Sequence, residues 1–280
     1  MTRIMDDNWR EWVHENIGLG VPRKQIFNTL ANRGFSFVDI AEVMRWIPEE
    51  AGVDINELSK TVPIRHERRF IFGGEKIDTQ GDVLDIYRLD NFLSKNQCKK
   101  LSSIIRANMK PSTVTSSDTD KDYIDSDTRT SSTCDLDKSH GRVVGVVDEL
   151  ISKTLGIHTL FSEQIQGQHY KKGQQFKEHT DIFTPGTPEY EKNCSEKGQR
   201  TWTVMVYLNE PQQSGETIFP LVKTPTGETL SIKPSLGMAI AWNNLYVNGE
   251  VNEYSLHEGT PVKKGEKTII TKWFREKRSI

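Results

Sequence analysis

The chain has little cysteine: Cys98, Cys134 and Cys194 are the only three in 280 residues, far apart and without a CxxC spacing. That argues against a disulfide framework or a zinc site and makes the reducing cytoplasm the expected compartment. Long apolar runs are missing too. No uninterrupted stretch approaches a membrane span, and the opening MTRIMDDNWREW lacks the apolar centre of a secretory leader, so a soluble protein without membrane partners is expected. Charge of one sign is also lacking: the formal net is -2 and the pI about 6.4. No global field would draw such a chain to nucleic acid.

What is present begins with short helices. Trp9, Val13, Asn16 and Ile17 follow helical spacing as far as Gly18-Leu19-Gly20. Pro22 opens a second helix with Ile26, Phe27 and Leu30 on one face, ended by Gly34. Ser36 is placed to cap a third, carrying Ile40, Val43, Met44 and Ile47 and stopped by Pro48. Residues 1–60 are therefore expected to form a small all-α accessory domain. Arg23, Lys24 and Arg33 are too few for a DNA reader, so protein contact or dimerisation is its expected role.

The charged segment 61–82 reads as a linker or leading hairpin, and 83–280 as the main domain. Val83 to Tyr87 reads as a strand, and Ser94 caps a helix with Cys98, Leu101, Ile104 and Ile105 on its buried side. Segment 112–141 is dominated by Ser, Thr, Asp and Lys and is expected to be one long loop. Helix resumes from Val143 to Leu155. Beyond Phe161 come QIQGQHY, TWTVMVYLN, ETIFPLV, ETLSIKP, MAIAWNN and KTIITKWF, punctuated by Gly and Pro. So many short strands predict a mainly β domain with flanking helices, a jelly roll or barrel.

The chemistry concentrates in HYKKGQQFKEHTD, His169 to Asp181. His179 and Asp181 are two positions apart, so on a strand their side chains leave the same face. His257, followed ten positions on by Lys267, completes the set. Two imidazoles and one carboxylate on one side of a metal leave the other side open, which suits non-haem Fe(II).

From Val83 to Glu276 the chain resembles the prolyl 4-hydroxylase family. The resemblance rests on Asn91 to Ser94, on RTSS from Arg129 to Ser132, and on Y-x2-G-x2-F-x2-H-x-D from Tyr170 to Asp181. It continues through Tyr207-Leu208-Asn209, GETIFP from Gly215, GMAIAWNNL from Gly237, His257 with Lys267, and Lys272-Trp273. It implies an Fe(II)- and 2-oxoglutarate-dependent dioxygenase on a double-stranded β-helix (jelly roll, cupin-like). Such an enzyme uses O2 to hydroxylate prolyl residues in a peptide or protein, releases succinate and CO2, and takes ascorbate as a reductant.

Carried over residue by residue, the resemblance makes His179, Asp181 and His257 the metal ligands. Lys267 becomes the anchor for the far carboxylate of 2-oxoglutarate, helped by Thr203 or Tyr207, with Tyr170 near the other end. Arg129 and Trp242 become grips for the substrate, under a lid formed by 112–141. Lys263, Lys264 and Lys272 are expected on the surface, and His169 on the opposite face of its strand. The chain departs from the family at Phe176, where many relatives carry Tyr, at Ser214, which replaces a glycine, and in a charged loop at 184–199. Two other readings stay open: the same chemistry on a free amino acid, lysyl residue or small metabolite, and a non-catalytic binding module. Retention of all three ligands and Lys267 weighs against the last.

Overall fold

The computed structural model describes residues 5–35, 40, 43–44, 74–113, 128–246 and 248–277. Ser36, Ile47 and Pro48 of the third expected helix, residues 61–73 of the linker and 114–127 of the polar segment lie outside these. The chain divides into two compact units, one of Met1–Arg65 with Gly156–His158, the other of His66–Leu155 with Thr159–Ile280.

In the first unit, Asp6 caps α1 (Asp7–Gly18) by accepting from the Trp9 amide at 3.0 Å. Val13 is buried on α1, and Ile26, Phe27 and Leu30 are buried on α2 (Arg23–Asn32), the face read from helical spacing. Trp9 packs edge-on against Phe35 at 5.0 Å. Ile40, Val43 and Met44 are helical and buried.

The second unit opens with β1 (Glu75–Lys76) and β2 (Ile86–Leu89), the latter beginning three residues beyond the Val83 expected. Ser94 and Gln97 form a reciprocal capping box at the start of α3 (Lys95–Asn108), which buries Cys98, Leu101 and Ile105. Then come β3 (Lys110–Pro111) and β4 (Ser132–Leu136). The second half of the expected loop is thus a strand, and it pairs with the next one. Beneath its polar composition runs a period of two, with Cys134 and Leu136 buried and Asp135 exposed.

α4 (Arg142–Leu155) leads to β5 (Ile165–Tyr170) and β6 (Phe176–His179). α3 packs closely on β5 because Gly167 has no side chain; a Cβ there would lie 2.4 Å from Ile105 Cγ1. The charged insert also departs from expectation, for it contains α5 (Pro188–Cys194), with Thr187 as N-cap, Pro188 in its first turn and Cys194 buried. The remaining strands are β7 (Arg200–Tyr207), β8 (Gln213–Ser214), β9 (Thr217–Lys223), β10 (Thr229–Ile232), β11 (Ala239–Asn243), β12 (His257–Gly259), β13 (Val262–Lys264) and β14 (Lys267–Arg275).

Eight strands form one sheet in the order β1-β2-β11-β7-β14-β5-β4-β3, and four form a second in the order β10-β9-β12-β6. Ile86, Met205, Ile240 and Ile269 from the first sheet pack with Phe219, Val222, Leu230 and Ile232 from the second. The result is the expected double-stranded β-helix, mainly β with helices alongside. Lys272 corrects the sequence reading: it is 1 % exposed, and its ammonium pairs with Asp148 of α4 and donates to the Glu163 carbonyl at 3.0 Å.

Candidate active site

β5 and β14 run antiparallel with Tyr170 opposite Lys267, Gln168 opposite Ile269 and Gln166 opposite Thr271. The two-residue period sends these six side chains, with Trp273, into one cavity of about 470 Å³. His169 and Thr268 are out of phase with them; they line no part of the cavity and bond to each other, Nδ1 to Oγ1, at 3.0 Å.

In the second sheet His257 on β12 stands opposite His179 on β6, ring centroids 4.3 Å apart. Asp181 lies in the bend just past β6 rather than on the strand. The structure nevertheless brings all three together, with one ligand atom from each within 4.8 Å of the others. Phe176 stacks on His179 with centroids 3.5 Å apart, and the Arg129 guanidinium lies 4.7 Å over the same Phe176 ring.

Hydrogen bonds decide which atoms face inward. His179 Nδ1 donates to the Lys177 carbonyl and His257 Nδ1 to the Ser255 carbonyl, both at 2.8 Å. With each Nδ1 committed to a carbonyl, Nε2 is the ring nitrogen that both histidines leave for an ion. Burial, with His257 alongside, lowers the His179 pKa to about 3, so this ring is unprotonated near neutrality. Burial works to raise Asp181, but His257, His179, Arg200 and a hydrogen bond from Thr203 outweigh it and hold the carboxyl below its usual range. Thr203 Oγ1 donates to Asp181 Oδ2 at 2.7 Å. Two imidazole nitrogens and one carboxylate oxygen are a donor set that fits Fe(II).

Lys267 is 2 % exposed and has no ion pair among the described residues. Burial, opposed only by the charge of Glu216, lowers its pKa to about 8. Its ammonium lies 5.4 Å from the Tyr170 ring and 5.7 Å from the Tyr207 ring. Space beside it is kept open by Gly259, where a Cβ would stand 3.5 Å from Nζ. The indole nitrogens of Trp242 and Trp273, two residues that line the cavity, are buried without a hydrogen-bond partner among the described residues. A buried ammonium and unpaired donors around one cavity fit a bound polyanion such as a dicarboxylate. Gly259→Val is accordingly expected to weaken 2-oxoglutarate binding about tenfold or more while leaving metal affinity unchanged; titration of each ligand by calorimetry checks both.

The other residues named from the sequence fall into place unequally. Tyr170 lines the cavity and donates to Gln168 Oε1 at 2.6 Å. Tyr207 donates to Thr217 Oγ1 at 2.8 Å. Thr217 itself lines the cavity and was missed, although it sits in the GETIFP motif. Thr203 is a correction: its hydroxyl is held by Asp181, so it does not serve the far carboxylate beside Lys267.

Trp242 is a second correction. It lines the cavity, but at 1 % exposure and edge-on to His257 at 4.9 Å its ring buttresses a metal-side histidine at the cavity floor and is not an open platform for a peptide. Arg129 does line the cavity. It is held by Gln166 Oε1 at 2.8 Å and Ser131 Oγ at 3.3 Å, and no carboxylate pairs with it among the described residues. The sequence reading also missed Arg200, clamped by Glu163 at 2.7 and 2.8 Å, 4.0 Å over the Trp273 ring and 3.3 Å from the Asp181 carbonyl. The helix α5 adds Glu189, Lys192 and Asn193 to the cavity wall.

Comparison with known proteins agrees with this geometry. Residues 165–275 match a family model described as 2OG-Fe(II) oxygenase superfamily. The chain is 32% identical over 196 residues to a probable prolyl 4-hydroxylase 3 of Arabidopsis thaliana, covering 65% of this chain and 66% of that protein. It is 34% identical over 197 residues to prolyl 4-hydroxylase 5 of the same plant, covering 66% of each. The matched region thus spans about two thirds of the length of these relatives. Among solved structures, a viral collagen prolyl hydroxylase from Paramecium Bursaria Chlorella virus-1, in complex with 2OG, superposes with a TM-score of 0.51 and 25% identity, covering 70% of this chain and 98% of that one. The chain belongs to the 2OG-Fe(II) oxygenase superfamily by its fold, its three converging ligands and its relatives.

Proposed function

We propose that the protein hydroxylates prolyl residues in a peptide or protein, coupling the reaction to decarboxylation of 2-oxoglutarate. The observation that carries this reading is the meeting of His179, Asp181 and His257 in the same cavity as the unpaired Lys267 ammonium. The relatives named prolyl 4-hydroxylases supply the substrate class.

His179 and His257 would hold the ion through Nε2, and Asp181 through its free Oδ1. Bound iron with O2 supplies the oxidation, in which one oxygen atom enters succinate as CO2 leaves and the other becomes the substrate hydroxyl. The chain's own part is positioning. Lys267 would receive the far carboxylate of the co-substrate, in the space left by Gly259 and beside the linked hydroxyls of Tyr207 and Thr217. Phe176 and the cavity walls exclude water from the metal side. Arg129, a cation without a carboxylate partner among the described residues, would act as hydrogen-bond donor to a substrate carbonyl.

Ascorbate as reductant and a cytoplasmic location belong to the same reading, the latter supported by three cysteines that are all free and buried. Contact with another protein, or dimerisation, is proposed for the helical unit. The test is incubation with Fe(II), labelled 2-oxoglutarate and proline-rich peptides. Labelled CO2 should appear together with a mass gain of one oxygen on the peptide. Gain on a free amino acid and on no prolyl peptide would overturn the substrate assignment.

A further inference from the structure

Behind Asp181 lies a chain of two buried side chains. Thr203 on β7 and Asn244, just past β11, are both 0 % exposed, and neither lines the cavity. Thr203 Oγ1 donates to Asp181 Oδ2 at 2.7 Å, and Asn244 Nδ2 donates to Thr203 Oγ1 at 2.8 Å. The direction of this relay follows from elementary chemistry. An ionised carboxylate only accepts, so the single hydroxyl proton of Thr203 must point at Asp181. The hydroxyl oxygen then has only lone pairs to offer its other neighbour, which must be a donor.

Asn244 meets that requirement with its amide nitrogen, and its Oδ1 is left without a partner among the described residues. The backbone of Asn244 is pinned on both sides. Its N–H donates to the Thr201 carbonyl at 2.8 Å, and its own carbonyl accepts from the Asn252 N–H at 2.9 Å.

We propose that Asn244, acting through Thr203, is a positioning residue that confines Asp181 to binding the metal through one oxygen. The inference rests on the metal-centre reading given above. A hydroxyl alone rotates freely; Asn244 removes that freedom and keeps Oδ2 engaged. Oδ1 is then the oxygen presented to the ion, and the second oxygen is kept from a coordination position that co-substrate and O2 require. Outer partners of this kind orient metal-binding carboxylates.

The test uses the full-length, metal-free protein titrated with Mn(II), the free ion being read by electron paramagnetic resonance. Thr203→Val keeps the shape and removes the hydroxyl, Thr203→Ser keeps the hydroxyl, and Asn244→Asp replaces the donor with an acceptor at constant volume. Mn(II) affinity is expected to fall about 10–100-fold in Thr203→Val and in Asn244→Asp and to be restored in Thr203→Ser. Metal-free Thr203→Val is expected to be less stable than the parent, because Asp181 Oδ2 and Asn244 Nδ2 each lose a buried partner, so every titration is run well below its denaturation midpoint. Two results overturn the relay: Mn(II) binding undiminished in both substituted proteins, or a loss that serine does not restore. A parent protein that binds Mn(II) no better than His179→Ala is a different result, which removes the metal reading and the relay with it.

Discussion

Replacing Lys267 with methionine is expected to make the empty protein more stable while nearly abolishing its affinity for 2-oxoglutarate. The two effects share one cause. The ammonium is 2 % exposed, no carboxylate among the described residues pairs with it, and burial lowers its pKa from 10.5 to about 8. Below pH 8 the folded protein holds a charge that the unfolded chain would solvate freely. That difference corresponds to about 3 kcal/mol, so methionine of similar length should raise the unfolding free energy by up to that amount.

The sign of the pH dependence follows. The parent gains stability as pH rises from 8 to 10.5, because there the unfolded state keeps a proton that the folded state has lost. Lys267→Met should lack that rise. Binding runs the other way: a dicarboxylate requires the protonated amine, so parent affinity should fall above pH 8. In the variant, the co-substrate carboxylate would be buried unpaired, a loss of about 3–5 kcal/mol, or roughly two to four orders of magnitude in affinity. Denaturation curves at pH 7 and 10 and 2-oxoglutarate titration check both halves. Unchanged co-substrate affinity in Lys267→Met would sink the anchor assignment.

His179→Ala should eliminate turnover by a different route. The imidazole already lacks a proton, its Nδ1–H is committed to the Lys177 carbonyl, and its Nε2 is the atom left for an ion. Alanine removes one of three ligands and also the surface on which Phe176 stacks. Release of CO2 from 2-oxoglutarate should drop by more than about 100-fold, beyond the range that outer-sphere changes reach. Metal titration of the same variant should show the ion lost, while the anchor at Lys267 stays intact. Persistent CO2 release in His179→Ala would remove the metal assignment.

The helical faces of α1 and α2, the Ser94 cap and the later strands are legible in the sequence as periodicity and capping residues, because those signals act over a few neighbours. The hidden features have weak or misleading local signals. β4 is masked because Ser132, Thr133 and Asp135 make its composition resemble a loop. α5 does carry a signal, Thr187-Pro188 followed by Glu189 and Glu191 in the first turn, favourable near a helix N-terminus. Lys272 looks like a surface lysine because nothing nearby in sequence announces Asp148, which meets it from α4.

The residue types of the metal ligands and of Lys267, together with their spacing, were determined by the sequence alone, since a side chain carries its donor atoms wherever it is placed; the period of two did not place Asp181, which stands in the bend past β6. Only the tertiary structure decided which groups serve those four. It drew Thr203 to Asp181 instead of the co-substrate, turned Trp242 against His257, and put Asn244 behind Thr203. Such assignments depend on distances of a few ångströms between strands far apart in the chain, and no local pattern records them.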